Sequence, residues 1–347
     1  VPEGSTLLGI KALVDGRAAA SLRGVSLSPP AVQQPGLQTT HNLKVPVPPH
    51  DIVLSVLVDI RPQKSKPATV RLRWNGASKS QEQVGQFQPK LYLLTIGVSE
   101  YQQKELALRF AAKDASDVAA AFRAQSRSLY RDVEAKTLTN QMATKNNILD
   151  ALEWLQRQTT AKDIGILFLA GHGVTDPGSG AYYFLPFDAD MGAMKRTMIP
   201  ESEIRDTLSA VAGKVILFLD SCHSGKVFSA IQTRGPADLT AFIGELASAE
   251  SGVVVFAAST GRQSSQESVA WNNGAFTKAL IEGLSGRADF QKSGRITINM
   301  LDLYVSERVK ELTDGRQTPT TAKPASIPDF PLAVTREIHN EDIDLVR

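Results

Sequence analysis

The sequence predicts an α/β protein with a mostly parallel central sheet, helices on both faces, and a small β-sandwich-like module in front. Two observations carry this prediction. From about residue 91 onward, short Val/Ile/Leu/Phe runs alternate with amphipathic segments, the order in which strands buried on both faces and their crossover helices follow one another. Before about residue 88 no helical period appears; instead, segments alternate apolar and polar residues between Pro- and Gly-containing turns, as half-buried antiparallel strands do.

The N-terminal strands are expected at Thr6 to Val14, His41 to Val47, Asp51 to Ile60 and Ala68 to Trp74, with Asn75 to Lys90, rich in Ser, Gln and Gly, as a linker. Leu91 to Val98 reads as the first buried strand. Phe110 to Ala124 follows as an amphipathic helix, with Phe110, Ala111, Asp114, Val118, Ala121 and Phe122 at helical spacing. Asn146 to Gln158 is a second helix, capped by Thr144 or Asn146. Ile164 to Ala170 is a strand that runs into Gly171-His172-Gly173. A turn-rich loop spans Asp176 to Gly180, and a short helix is expected from Glu201 to Val211. Val215 to Leu219 is a strand that runs into Asp220-Ser221-Cys222-His223-Ser224-Gly225. Gly252 to Ala258 is a further buried strand, and helices follow at Gly274 to Gly283 and Asn299 to Thr313. The segment from Gln317, with Pro319, Pro324, Pro328 and Pro331, is extended. The expected domain division is 1–88 for the β-rich module with its linker, 89–335 for the α/β domain, and 336–347 for a tail.

Composition excludes several classes. The 347 residues are 42% hydrophobic, enough to bury one large or two modest cores. With 38 basic residues against 36 acidic ones, nothing favours nucleic acid or an anionic membrane as a partner. A single cysteine rules out an intrachain disulfide framework and any multi-cysteine zinc site, leaving a buried small hydrophobe or a nucleophile. No apolar stretch approaches the roughly 20 residues of a membrane span. The chain starts at Val1 without a basic-then-apolar leader. It is expected to be a soluble, processed or truncated product, with cytoplasm and export after loss of a leader both open.

Open α/β sheets place ligands beyond the carboxyl ends of their strands, so His172 and Cys222 are expected at neighbouring strand tips. Only a thiolate is strongly nucleophilic, and an adjacent imidazole that lowers the thiol pKa or accepts its proton would activate Cys222. His223 competes for that role by adjacency. Successive strand residues point to opposite sides, which favours His172. By the same period of two, Asp220 lies on the side of Cys222, where its carboxylate would pair with a cation.

These blocks resemble the caspase-like cysteine peptidases of family C14, in particular the metacaspases and bacterial caspase homologues. Cys222 follows His172 by 50 positions, and caspases place the histidine about 50 residues upstream of the cysteine. Leu108-Arg109-Phe110-Ala111-Ala112-Lys113-Asp114-Ala115 is similar to a segment that metacaspases write Leu-Arg-Gly-Cys-x-Asn-Asp-Ala, with Ala111 at their cysteine. Phe256 to Thr260, Asn273 to Thr277, Leu284 to Asp289 and Gln317 to Pro319 resemble the small-subunit half of the bacterial members, so the likeness spans about residues 90 to 335.

The resemblance implies a caspase-hemoglobinase fold and a cysteine endopeptidase with a Cys222/His172 dyad. It further implies an oxyanion hole from the backbone N–H groups of Gly173 and Cys222, and a first substrate pocket built on Asp220 and Asp114. Substrates would be proteins or peptides with Arg or Lys before the cut. Arg109 would suit an acidic substrate instead, but metacaspases keep that arginine as well. No cofactor is needed for the chemistry; calcium is carried as a candidate activator, with Asp188 and Asp190 as candidate ligands by position. Lys195-Arg196, Lys226 and Thr233-Arg234-Gly235 are candidate self-cleavage sites, and the N-terminal module is a candidate partner surface. A non-catalytic scaffold and an Asp-specific peptidase remain as alternatives.

Overall fold

The structure is a computed structural model that describes residues 6–18, 25–26, 45, 52–61, 68–73, 88–176, 178–222, 239–248, 251–259 and 265–335. The N-terminal module comprises β1 (Thr6–Val14), β2 (Arg17–Ala18), β3 (Val25–Ser26), β4 (Ile52–Arg61) and β5 (Ala68–Leu72). They form one five-stranded antiparallel sheet in the order β2-β1-β4-β5, with β3 also on β1. Among the described residues the module is thus a single sheet, and a sandwich's second layer is not among them. Asp15 and Gly16, at φ 49° and 81°, close the two-residue β1–β2 hairpin, as Asp-Gly does in a type I′ turn. The expected strand at His41 to Val47 lies outside the described residues except for Val45, and so does nearly all of the linker.

The α/β domain starts with β6 (Lys90–Gly97), α1 (Ala111–Arg123), β7 (Asp132–Thr139) and α2 (Lys145–Gln158). There follow β8 (Ile164–Thr175), β9 (Tyr182–Phe184), β10 (Ile199–Pro200), α3 (Glu201–Ala210), β11 (Lys214–Cys222), α4 (Thr240–Leu246) and β12 (Val253–Ala257). The last part holds β13 (Glu267–Ser268), β14 (Asn273–Gly274), α5 (Ala275–Glu282), β15 (Arg295–Thr297), α6 (Ile298–Thr313), β16 (Thr320–Ala322) and β17 (Pro331–Val334). Five parallel strands run β7-β6-β8-β11-β12, and antiparallel β16 closes the far edge. The C-terminal end of β8 projects beyond this sheet and pairs antiparallel with β9, which pairs with β10.

The central runs form strands because both their faces are covered. Leu167, Leu169, Leu217 and Leu219 pack with residues of α2, α3 and α4, whereas Phe168, Ala170, Ile216 and Phe218 pack with α1, α5 and α6. Thr144 caps α2 by accepting from the Asn147 N–H at 3.3 Å. β7 is not among the strands expected from the sequence; it is an edge strand, partly exposed along its length, and lacks the apolar signature of its neighbours. The interface of β6 with α1 is so close that a Cβ on Gly97 would lie 2.1 Å from the Ala111 carbonyl oxygen. That contact brings the start of α1, and Asp114 with it, onto the tip of the sheet.

Candidate active site

His172 and Cys222 are direct partners in the parallel β8–β11 ladder, the last pair of that ladder among the described residues. The sheet therefore brings the two backbones together as expected from the sequence. His172 is buried, and its Nε2 lies 2.9 Å from the Leu106 carbonyl. A carbonyl can only accept, so Nε2 carries the proton in the neutral ring and Nδ1 is the basic nitrogen. The flanking glycines have steric reasons. Gly171 has φ 152°, and a Cβ there would lie 3.0 Å from the Tyr101 hydroxyl and 3.2 Å from the Phe184 ring. A Cβ on Gly173 would lie 2.3 Å from the Tyr182 ring.

Register also settles where the Gly173 amide points. Gly173 faces Phe184 across the β8–β9 ladder, and the Leu185 N–H donates to the His172 carbonyl at 3.0 Å. Gly173 and Phe184 thus form a non-hydrogen-bonded pair, and the Gly173 N–H is directed away from β9, toward the side of β11. His223, the rival base, lies outside the described residues, as do Lys226 and Thr233-Arg234-Gly235. Lys195 and Arg196 are exposed on a single helical turn at Met194–Thr197.

Asp220 and Asp114, more than a hundred residues apart in sequence, meet at one glycine. A Cβ on Gly274 would lie 3.0 Å from Asp220 Oδ2 and 3.1 Å from Asp114 Oδ2. Both carboxylates are buried, at 4% and 2% exposure, and among the described residues neither forms a salt bridge. Asp220 accepts from the Thr277 hydroxyl at 2.9 Å, in the first turn of α5. Asp114 accepts from Asn273 Nδ2 at 2.8 Å and from the Gly274 N–H at 3.1 Å. Burial raises the Asp114 pKa to about 8, helped by the charges of Asp220 and Glu267 and opposed by the Asn273 and Gly274 donors. Burial raises Asp220 as well, against the hydroxyls of Thr277 and Ser265. Loss of hydration outweighs the donors at both carboxylates.

Sequence reasoning missed Glu267. It accepts the Arg109 and Phe110 N–H groups at 3.2 and 3.3 Å, and its charge acts on both aspartates. Its hairpin partner is Gly274 itself, so the β13–β14 pair carries a third carboxylate to the same place. Asn273 and Thr277 fall in a block that stands out in the sequence only by its resemblance; nothing in their spacing announces them as donors to carboxylates. The side chain of Arg109 is exposed.

The two candidate calcium ligands, Asp188 and Asp190, both lie in loops and accept backbone N–H groups. Asp188 accepts the Lys145 N–H at 2.8 Å at the start of α2, and Asp190 accepts the Gly192 N–H at 2.9 Å. Both serve as backbone caps, and among the described residues no group of three or more His, Cys, Asp or Glu side chains is arranged to hold a metal. Hard cations require several oxygen ligands, and no step is assigned to calcium.

A six-stranded, mostly parallel sheet with helices on both faces, bearing histidine and cysteine on adjacent strand tips, defines the caspase class of α/β proteins. The chain belongs to the caspase domain family, peptidase C14, whose sequence profile matches residues 90–329. Among solved structures it is similar to a Geobacter sulfurreducens protein of 22% identity and TM-score 0.50, over 71% of this chain and 100% of that one. It is also similar to caspase-1 from Spodoptera frugiperda, at 10% identity and TM-score 0.45, over 72% of this chain and 92% of that one. No curated protein matches the sequence. Among the described residues no helix is long and apolar enough to cross a membrane.

Proposed function

We propose that the protein is a cysteine endopeptidase of the metacaspase-like kind, cutting peptide bonds after Arg or Lys through Cys222 and His172. The observation that carries this reading is the pair of buried carboxylates, Asp220 and Asp114, converging at Gly274 with Asp220 two residues before Cys222. Two buried carboxylates with no cationic partner among the described residues are costly, and a guanidinium or ammonium from a substrate offsets that cost. An acidic substrate side chain would be repelled there, which disfavours the Asp-specific alternative.

In the reaction, the Cys222 thiol proton passes to His172 Nδ1, and the thiolate attacks the carbonyl carbon of the bond to be cut. The resulting oxyanion is met by the N–H groups of Gly173 and Cys222. The proton on Nδ1 then goes to the departing amine, and water, deprotonated by the same nitrogen, hydrolyses the thioester. Leu106 keeps the other ring nitrogen protonated throughout.

The test uses fluorogenic peptides ending in Arg, Lys or Asp, with Cys222→Ala alongside. Cleavage of Arg and Lys peptides that vanishes in the variant is expected. Cleavage of Asp peptides alone would refute the pocket assignment, and an inert wild type that still folds would favour a scaffold.

A further inference from the structure

His172 is held by the segment between β6 and α1 as well as by its own strand. β6 follows β8 in parallel register as far as the Val98 N–H, which donates to the Ala170 carbonyl at 3.0 Å. In a continuing parallel ladder the Val98 carbonyl would next receive the His172 N–H. The chain turns away instead, and the His172 N–H donates to the Tyr101 hydroxyl at 2.9 Å. A side-chain oxygen thus replaces the missing backbone acceptor. The ring of the same tyrosine lies against the imidazole, with centroids 5.4 Å apart and planes tilted by 32°.

Tyr101 is itself fixed. It is 5% exposed, and the amides before it, of Ser99 and Glu100, donate to Asn140 Oδ1 at 3.0 and 3.1 Å. The amide after it, of Gln102, donates to the Phe187 carbonyl at 3.0 Å. Five residues on, the same segment supplies the Leu106 carbonyl to His172 Nε2. Gly171 leaves room for the approach, since a Cβ there would lie 3.0 Å from the hydroxyl.

We propose that Tyr101 is a positioning residue for His172: its hydroxyl completes the β8 ladder at the histidine, and its ring sets the plane in which the imidazole meets the Leu106 carbonyl. The proposal rests on the reading of His172 as the catalytic base. Removing the hydroxyl leaves the backbone of the base without its acceptor while the ring contact remains; removing the ring frees the imidazole plane as well.

The experiment compares wild type, Tyr101→Phe and Tyr101→Leu by steady-state hydrolysis of an Arg peptide and by long-range ¹H–¹⁵N spectra of the imidazoles. His172 is assigned among the five histidines with His172→Gln. In Tyr101→Phe, kcat is expected to fall about tenfold with KM within about twofold. The His172 signals should shift in Tyr101→Phe with the melting temperature nearly unchanged, and in Tyr101→Leu they should move further, from a fixed Nε2–H tautomer toward a mixture. Unchanged kcat and imidazole signals in Tyr101→Phe would overturn the proposal. So would a kcat loss that only tracks the fraction of unfolded protein. If wild type cleaves no basic peptide, the peptidase reading falls, and the imidazole spectra still decide: identical His172 signals in wild type and Tyr101→Phe refute a positioning role.

Discussion

Asp220→Asn removes one charge from the proposed substrate pocket with almost no change of shape, and its effect on activity and on stability should have opposite signs. A guanidinium about 4 Å from a carboxylate gains about 4 kcal/mol at an effective dielectric constant near 20. The remaining carboxylate, Asp114, retains part of that attraction. A loss of about 3 kcal/mol is therefore expected for Arg peptides, roughly 150-fold in kcat/KM. Stability should move the other way. Folding raises the Asp220 pKa, so the group costs nothing below its unfolded pKa and progressively destabilises the fold as the pH rises above it. An uncharged side chain at neutral pH relieves that cost, and the variant should melt no lower than wild type. The assay is kcat/KM on matched peptides with Arg or a neutral residue before the cut, with iodoacetamide alkylation of the single cysteine as a check on the thiol. Equal losses on both peptides, or a fall in melting temperature that accounts for the activity, would refute the reasoning.

With Asp114 raised to about 8, a proton must leave the empty pocket before two carboxylates can face an incoming cation. Arg-peptide kcat/KM should thus climb between about pH 6 and pH 8, and Asp114→Asn should remove that part of the rise, as pH–rate profiles of both proteins would show. Gly97→Ala forces a methyl onto the Ala111 carbonyl, a backbone atom that cannot step aside; a loss of about 3 kcal/mol by urea denaturation is expected, and a loss under about 0.5 kcal/mol would contradict the packing. If the pocket accepts basic residues, incubated protein should acquire new termini after Lys195 or Arg196, exposed on their helical turn, and Cys222→Ala should stay intact; mass spectrometry that finds no cut in wild type removes self-processing at that turn.

The sequence by itself was enough for the central sheet and for the pairing of His172 with Cys222 at neighbouring strand ends. The runs at Ile164 to Ala170 and Val215 to Leu219 are apolar on both faces, which only a covered parallel strand tolerates, and their polar endings mark the tips. A period of two then puts Asp220 beside Cys222 without any coordinates. Asp114 was legible through resemblance, in a motif whose neighbouring cysteine is here Ala111. The edge strand β7 was not legible, because partial exposure removes the apolar signature on which strand assignment depends.

Tertiary structure alone decided how the site is held and charged. Glu267 reaches the α1 entrance across 158 residues, Asn273 reaches Asp114 across 159, and Tyr101 reaches His172 across 71. No local period records such contacts, since each partner lies in a turn or at an element end where neighbouring residues impose no spacing. Burial decides the ionisation as well. Asp114 and Asp220 are ordinary carboxylates in the sequence, and their pKa values rise only because folding strips away their water and sets them around one glycine.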